Sequence, residues 1–230
     1  MATTTIFAST GTTGRGSINQ SGTDWDDVIT STSGTVISND SYAFAVRAGV
    51  VAGRGTPTFF VNRAFGYFDL SSITTTITAA TVKIYSNGVN NTGTIKMYAG
   101  TAFGGNGTAL ASTDYDNVSS TSYSSNEYNE LTWGTNQLRS FVCNATAISY
   151  ANSNSKLNVC WRDNKDVDEE QPEEEGYIGI NWLTSGTNRC QIVVTHADAG
   201  YGNDINTVSS SDIDKVNTVS SSNIDKVNTV

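Results

Sequence analysis

Apolar and polar residues alternate with a period of two through much of residues 41–100, and this period is typical of a strand that buries one face. In RAFGYFDL the alternation places Ala64, Gly66, Phe68 and Leu70 on one face, and SYAFAVRAGVVAG, AATVKIYSNG and TGTIKMYAG show the same pattern. The dipeptide Asn87-Gly88 ends AATVKIYSNG and is strongly preferred in tight turns. We therefore expect AATVKIYSNG and TGTIKMYAG to be neighbouring strands joined by the loop GVNNTG.

Shorter apolar segments predict further strands within this region and on both sides of it. They are TTIFAST, DWDDVITST, TPTFFVN, YNELTWG, KLNVCWRD, GYIGINWL and RCQIVVTH. One helix is predicted in NATAISYANS, with Asn144 as its N-cap. Nine or ten short strands without a βαβ rhythm are buried most economically as two antiparallel sheets packed face to face. The sequence thus predicts an all-β fold, an antiparallel two-sheet β-sandwich of jelly-roll type over residues 1–200.

Residues 201–230 differ from this domain, because an eleven-residue phrase recurs there and ends twice as IDKVNTV. The aliphatic positions of the repeat are Ile205, Val208, Ile213, Val216, Val219, Ile224, Val227 and Val230. A strand would divide these side chains between two faces and a helix would gather them in one stripe, but Val, Asn, Thr and Ser are poor helix formers. Such a short segment cannot bury them alone, so we expect it to anchor or oligomerise the protein; a flexible tether is the alternative.

Composition and charge narrow the class of partner. The 230 residues are 37% hydrophobic and only 15% charged, with a net charge of −9 and a pI near 4.4. Binding to a phosphate backbone needs a basic face, so nucleic acid is excluded as a partner. No secretory signal and no stretch of 18 apolar residues is found, so we expect a soluble protein made in a cytoplasm, without membrane insertion.

Residues with catalytic or redox chemistry are few and scattered. Cys143, Cys160 and Cys190 have no metal-binding spacing, and each lies in an apolar run. Small buried hydrophobes in strands are the favoured interpretation, with a disulfide or a reactive thiol as the alternative. His196 is the single histidine, and no pair of carboxylates stands out as a glycosidase acid and base. We therefore expect no catalytic residues and no cofactor.

The densest run of charge is WRDNKDVDEEQPEEEGY, which carries eight acidic residues. Converging carboxylates bind Ca²⁺, so Asp166, Asp168 and Glu169 form a weak candidate for a calcium site. A run of like charges is more often a solvated loop, and the segment lacks the spacing of a known calcium loop. No metal is therefore expected.

Four aromatic residues lie in or beside predicted loops: Trp25, Tyr123, Tyr128 and Trp133. Aromatic rings stack on the apolar faces of sugars, so these residues are the candidate ligand platforms. Packing in the core is the competing interpretation for each of them.

Three segments together resemble a known class of module: residues 62–88 (NRAFGYFDLSSITTTITAATVKIYSNG), 157–164 (LNVCWRDN) and 189–196 (RCQIVVTH). They are similar to the β-sandwich modules of tailed-phage virion proteins and bacterial surface proteins, over about residues 40–196. Gly66 and His196 depart from the pattern, which has a bulkier residue and an aromatic there. Such modules resemble carbohydrate-binding modules, and the resemblance implies no catalytic residues. The repeated tail is similar to the short repeats that end some phage structural proteins.

These observations predict a non-enzymatic phage virion structural protein, such as a head decoration, head fibre or tail-attached adhesin. It would be made in the host cytoplasm and displayed on the virion surface. Its repeat would bind other virion proteins of the capsid or tail, or other copies of the chain, with a trimer as the expected homo-oligomer. The alternative is a glycan-binding module that recognises host or environmental polysaccharide. A glycoside hydrolase or lyase is a third hypothesis that lacks a recognisable acid/base pair.

Overall fold

A computed structural model describes residues 1–8, 14–37, 43–53, 55–90, 93–134, 136–174, 176–181, 189–198, 215–216 and 219–220. Its strands are β1 Ala2–Phe7, β2 Arg15–Gly22, β3 Thr35–Ile37, β4 Ala43–Val51, β5 Thr58–Asp69, β6 Ile77–Asn90, β7 Thr94–Gly100, β8 Val118–Asn129, β9 Leu138–Val142, β10 Lys156–Asp163, β11 Tyr177–Asn181, β12 Gln191–His196, β13 Lys215–Val216 and β14 Val219–Ser220. The helices are α1 Trp25–Ile29, α2 Glu130–Trp133, α3 Ala145–Asn154 and α4 Asn164–Val167, with 3-10 turns at Phe103–Gly105 and Ser112–Tyr115. The predicted all-β class is confirmed.

Eight strands follow one another in a circuit through antiparallel pairs. β4 pairs with β5, β5 with β10, β10 with β7 and β7 with β8; β9 pairs with β6, β6 with β11, and β11 with β4. β4 joins the two halves, because residues 43–46 pair with β11 and residues 47–51 pair with β5. The strands therefore form one continuous 12-stranded sheet. Two separate sheets with jelly-roll connections are not confirmed.

Side chains of β8 close the circuit against the outer edge of β9. Asn126 accepts from the Val142 amide at 2.8 Å and donates to the Ser140 carbonyl at 2.9 Å. The Tyr128 hydroxyl donates to the same Ser140 carbonyl at 3.0 Å. These bonds occupy main-chain groups that would otherwise form an open sheet edge, so β9 is protected from pairing with another chain.

β5 and β6 are branch points, because each pairs along one edge with two shorter strands. β5 pairs with β4 through residues 58–62 and with β10 through residues 64–69, while β2 and then β3 extend from its other edge. β6 pairs in the same way with β12 and β11, and β1 extends beyond β12. We call β2, β3, β5, β10, β7 and β8 the β5 wing, and β1, β12, β6, β11 and β9 the β6 wing.

The main core lies where the inward faces of the two wings meet. The rings of Phe141 in the β6 wing and Trp161 in the β5 wing are 6.2 Å apart. Gly66 has a physical reason to be small, since a Cβ there would come within 3.0 Å of the Trp161 ring. Other buried members of this core are Phe68, Val82, Ile84, Ile95, Met97, Leu157, Val159, Ile178, Ile180, Ile192 and Val194.

A second core covers the opposite face of the β5 wing. Residues Phe59, Val61 and Phe65 of β5 point to this face, as alternation along a strand requires. The covering layer is short and irregular, and consists of α1 and residues 102–115. It contributes the buried residues Trp25, Val28, Ile29, Ala102, Phe103, Leu110 and Tyr115.

One buried carboxylate holds the arginine that joins this covering layer to the sheet. Asp166 in α4 accepts from Arg63 Nε and Nη2, at 3.0 and 2.6 Å, and from Arg162 Nε at 2.7 Å. Arg63 also donates to the carbonyls of Tyr115 and Ile29, and its guanidinium lies 4.1 Å from the centre of the Tyr115 ring. Burial alone would raise the pKa of Asp166, but the hydrogen bonds and charges of Arg63 and Arg162 outweigh it and hold that pKa below its usual value.

Three local predictions prove wrong. DWDDVITST is a helix rather than a strand, because Asp24 caps it by accepting from the amides of Asp26 and Asp27. YNELTWG leaves β8 after Asn129 and forms α2. Asn87-Gly88 is not a turn: β6 runs through it to Asn90, with a shift of register against β11.

The longer-range interpretation of this region also needs correction. β6 and β7 are consecutive in the chain but do not pair, since β6 pairs with β9, β11 and β12 and β7 with β8 and β10. The predicted helix is confirmed as α3, where Asn144 accepts from the Ala147 amide. KLNVCWRD, GYIGINWL and RCQIVVTH contain β10, β11 and β12.

The described part of the repeat tail is a small antiparallel hairpin. Lys215 pairs with Ser220 and Val216 with Val219. Among the described strands, β13 and β14 pair only with each other. The tail residues Ile205, Val208, Ile213, Ile224, Val227 and Val230 lie outside the described residues.

Replacement of Asp166 should be strongly destabilising. Asp166→Asn would leave two buried guanidinium groups facing a neutral amide, and breaking a buried ion pair in this way costs roughly 3–5 kcal/mol. Urea unfolding followed by circular dichroism should show that loss in the free energy of unfolding. Asp168→Asn, two positions along and exposed, is the matched control and should change it by less than about 0.5 kcal/mol. Equal effects of the two substitutions would contradict the assigned role of Asp166.

Candidate functional site

The two tryptophans predicted as ligand platforms are both buried. Trp25 is 4% exposed and packs edge-on against Phe59, with its indole N–H donating to the Glu169 carbonyl at 3.2 Å. Trp133 is fully buried and donates to the Gly179 carbonyl at 2.9 Å. Neither ring presents an open face, so the structure places both indoles in the competing role of core packing.

The two predicted tyrosines have different surroundings. Tyr128 is half-buried, with its ring edge-on to Trp133 and Phe141 and its hydroxyl bonded to Ser140. Tyr128 is therefore part of the closure between β8 and β9. Tyr123 is 5% exposed, yet its side chain borders two surface grooves.

The acidic segment does not converge on a cation. Both carboxylate oxygens of Asp166 are occupied by guanidinium groups, so the weak calcium candidate of Asp166, Asp168 and Glu169 lacks its central ligand. Asp168 and Glu169 are exposed. Across the described ranges, no group of three His, Cys, Asp or Glu side chains could hold a metal ion.

Asp163 is a buried carboxyl group with an altered proton affinity. It is 2% exposed and caps α4 by accepting from the Lys165 amide at 2.9 Å. Burial raises its pKa to about 7, the Lys165 amide and charge lower it, and the nearby Asp166 charge adds to the rise. Lys165 compensates Asp163 less than two arginines compensate Asp166, so Asp163 keeps its proton to a higher pH than an ordinary Asp.

The three thiols are removed from solvent by packing, and His196 is held by hydrogen bonds. Cys143, Cys160 and Cys190 are free thiols, and burial raises the pKa of each to about 12. A thiol with that pKa is almost entirely protonated at neutral pH and is a poor nucleophile. The two ring nitrogens of His196 bond with the hydroxyls of Thr4 and Thr75, at 3.0 and 2.9 Å.

Four surface grooves border α3. The largest, about 600 Å³, lies between the C-terminal part of α3 and residues 70–77. Its main polar groups are already satisfied, since Asn152 bonds both main-chain groups of Ile77 and Thr75 bonds His196 and the Ala197 carbonyl. A groove of about 500 Å³ along Ala79 and Val142 is lined by mostly small and apolar residues.

The other two grooves meet at a pair of tyrosines. Tyr123 and Tyr150 have ring centres 5.9 Å apart and an angle of 43° between their planes, and both border both grooves. The groove on the α3 side is about 550 Å³ and is also lined by Ala145, Thr146, Ser149, Ser153 and Asn154. The groove on the opposite side is about 200 Å³ and is also lined by Ala99, Gly100, Thr101, Asp116, Asn117, Val118 and Ser119. We call this combined surface the tyrosine groove.

The hydrogen-bonding capacity of the tyrosine groove is largely unused. Within the described part of the chain, the hydroxyls of Tyr123 and Tyr150 have no hydrogen-bond partner. Burial raises the pKa of Tyr123 to about 12, and Tyr150 adds to the rise, so this hydroxyl remains a donor at neutral pH. Two unpartnered hydroxyls beside a polar wall make this surface the best candidate for ligand binding.

Tyr150 was not among the sequence-predicted site residues. The pattern of NATAISYANS predicts only a helix, whose Ala147 and Ala151 face the core. The positions 146, 149, 150, 153 and 154 follow the i, i+3, i+4, i+7, i+8 spacing of one helix face, and four of them are small and polar. That polar stripe around a tyrosine is the signal from which the groove could have been found.

Comparison with known proteins gives no family: no protein-family model matches the chain, and no curated protein matches it. The resemblance to phage and surface modules therefore stays a prediction. Among the described helices, none has the length and apolar character needed to cross a membrane.

The buried Asp163 should make stability depend on pH between about 4 and 7. In this window the folded chain holds a proton on Asp163 that the unfolded chain has released, so the free energy of unfolding falls as pH rises. Asp163→Asn keeps the acceptor for Lys165 but cannot ionise. It should be more stable than the parent at pH 8, by up to about 4 kcal/mol, with a much smaller difference at pH 4.

Urea unfolding at several pH values measures this effect. The depressed pKa of Asp166 acts only below its ordinary pKa of 3.8, so its contribution does not enter this window. Asp168→Asn serves again as the exposed control and should keep the parental slope. A parental slope in Asp163→Asn would show that Asp163 is not the group responsible.

Proposed function

We propose that this chain is a non-enzymatic structural protein of a phage particle, such as a head decoration, head fibre or tail-attached adhesin. Its β domain faces outward and its C-terminal repeat binds capsid or tail proteins, or other copies of itself. The single observation that carries the proposal is the eleven-residue repeat, with aliphatic residues at fixed positions beyond residue 200.

The paired residues of the tail add to this support. Val216 and Val219 lie opposite each other in β13 and β14. A two-stranded hairpin is at best marginally stable alone in water and needs a further strand or packing surface. Repeats that form such units can pack against equivalent repeats of neighbouring chains, which supports a homo-oligomer, and we propose a trimer as its stoichiometry.

The surroundings of the reactive groups agree with a role without catalysis. The thiols have a raised pKa, Asp166 is neutralised by two arginines, and His196 bonds with two threonines. The thiols, Asp166 and His196 therefore have structural surroundings.

Recognition of host or environmental polysaccharide is the second candidate function. It is favoured by the unpartnered hydroxyls of Tyr123 and Tyr150 in the tyrosine groove. The two functions are compatible, because a displayed domain can bind a glycan while the tail holds it on the particle.

Substitutions in the full chain test the role of the tail. The test variant carries Val216→Asn, Val219→Asn, Val227→Asn and Val230→Asn, which remove apolar side chains. The control carries Ser209→Asn, Ser211→Asn, Ser220→Asn and Ser222→Asn, which also place four Asn residues in the tail but keep every aliphatic position. Light scattering should give about three times the 24.4 kDa of one chain for the parent and the control, and one chain for the valine variant.

Retention on purified particles is the second measurement. The valine variant should be lost from particles that retain the control, as seen by electron microscopy with a label on the β domain. Unchanged mass together with unchanged retention of the valine variant would overturn the proposal.

A further inference from the structure

Tyr123 combines a buried ring with a hydroxyl that reaches the groove. The residue is only 5% exposed and packs in the main core. Its hydroxyl oxygen is not itself buried, so it stays available to bond with a molecule in the groove. The Tyr123 hydroxyl has no partner among the described residues, and its side chain borders both parts of the tyrosine groove.

The wall beside Tyr123 is rich in hydroxyl and amide groups. On α3, Thr146, Ser149 and Ser153 lie on one face with Tyr150. Their side-chain hydroxyls form no hydrogen bond within the described chain. The half-buried Tyr150 ring lies among these groups, with its own hydroxyl also free.

The charge of the groove selects the kind of ligand. Among the described residues that line the two parts there is no Lys or Arg, so a phosphate, a sulfate or a nucleic acid would meet no cation from them. Asp116 is the single acidic residue in that described lining. A neutral molecule with many hydroxyl groups and an apolar face matches this surface, because it can bond to the free hydroxyls while its apolar face lies against an aromatic ring.

We propose that the tyrosine groove binds a neutral oligosaccharide, with a sugar ring against Tyr150 and the Tyr123 hydroxyl as a hydrogen-bond donor to it. Sugar units on the two sides of the tyrosine pair occupy the 550 Å³ and 200 Å³ parts of the groove. This inference rests on the glycan-binding function given above as the second candidate and is independent of the particle assignment.

Titration calorimetry with the full chain tests the site. The probes are four neutral hexasaccharides (maltohexaose, cellohexaose, laminarihexaose and xylohexaose), with a heparin-derived hexasaccharide as the anionic comparison. At least one neutral probe should bind with a Kd of about 1 mM or tighter, and the heparin fragment should not. No saturable binding of any neutral probe up to about 10 mM, or preferential binding of the heparin fragment, would overturn the proposal.

Substitutions locate the binding. Tyr150→Ala should weaken it about tenfold or more, because the ring face is lost. Tyr150→Phe keeps the ring and should retain most of the affinity, which separates loss of stacking from a failure to fold. Tyr123→Phe removes only the donor and should weaken binding about three- to tenfold.

Tyr85→Phe is the matched control, since Tyr85 is half-buried on β6, borders none of the four grooves described above and forms no hydrogen bond through its hydroxyl with the described residues. It should leave affinity unchanged. Unaltered affinity in both Tyr150→Ala and Tyr123→Phe would overturn the assignment. The tail is intact in every protein used, so failure here leaves the particle assignment standing, and loss of tail-dependent association leaves this site standing.

Discussion

The buried contact of Asp166 with Arg63 and Arg162 is the constraint on which the rest of the β5 wing depends. Two guanidinium groups and one carboxylate leave a buried excess of positive charge, and this is tolerable only because carbonyl groups and the Tyr115 ring face the arginines. The covering layer must therefore lie in one place, since the Tyr115 and Ile29 carbonyls come from it. Its next residues, Asp116 to Ser119, line the smaller part of the tyrosine groove. The same contact that holds the layer on the sheet thus positions one wall of the proposed binding site.

The strands were predictable where a local pattern determined them, and their partners were not. RAFGYFDL alternates because one face of β5 packs against Trp161 and the other packs against the covering layer. The resulting pattern can be read from this one segment of the sequence. The pairing of β6 depends on β11 and β12, which lie about 100 residues later, and nothing near Asn87-Gly88 indicates that β11 will convert a turn signal into a bulge. In α1, a strong N-cap at Asp24 overrode an apolar run that was equally compatible with a strand.

The site was harder to predict than the fold, because burial of an aromatic ring is decided by tertiary packing. Trp133 follows a strand in a polar stretch, which suggests a loop, yet α2 turns it inward to bond Gly179 in the opposite wing. Tyr123 also faces inward, and what distinguishes it is that α3 packs beside it and leaves a groove instead of a hydrogen-bond partner. The polar stripe of α3 is visible in the sequence, but its proximity to Tyr123 is not. Tyr123 and Tyr150 are 27 positions apart in the chain and come together only when β8 and α3 pack against each other.

The unpaired main-chain N–H and C=O groups at the sheet edges indicate which surfaces suit association between chains and which suit ligand binding. The circuit of eight strands has no free edge at β9, because Asn126 and Tyr128 occupy it. Two ends of the described sheet are β3, which has three residues, and β1, whose Thr3 and Thr5 are exposed and polar. Short or polar edges are poor surfaces for association, whereas the tail has aliphatic residues that one hairpin cannot cover. The proposed association through the tail does not use α3 or β8, so in that assembly the tyrosine groove stays available for a ligand. A displayed protein that binds a glycan requires this separation of the two surfaces.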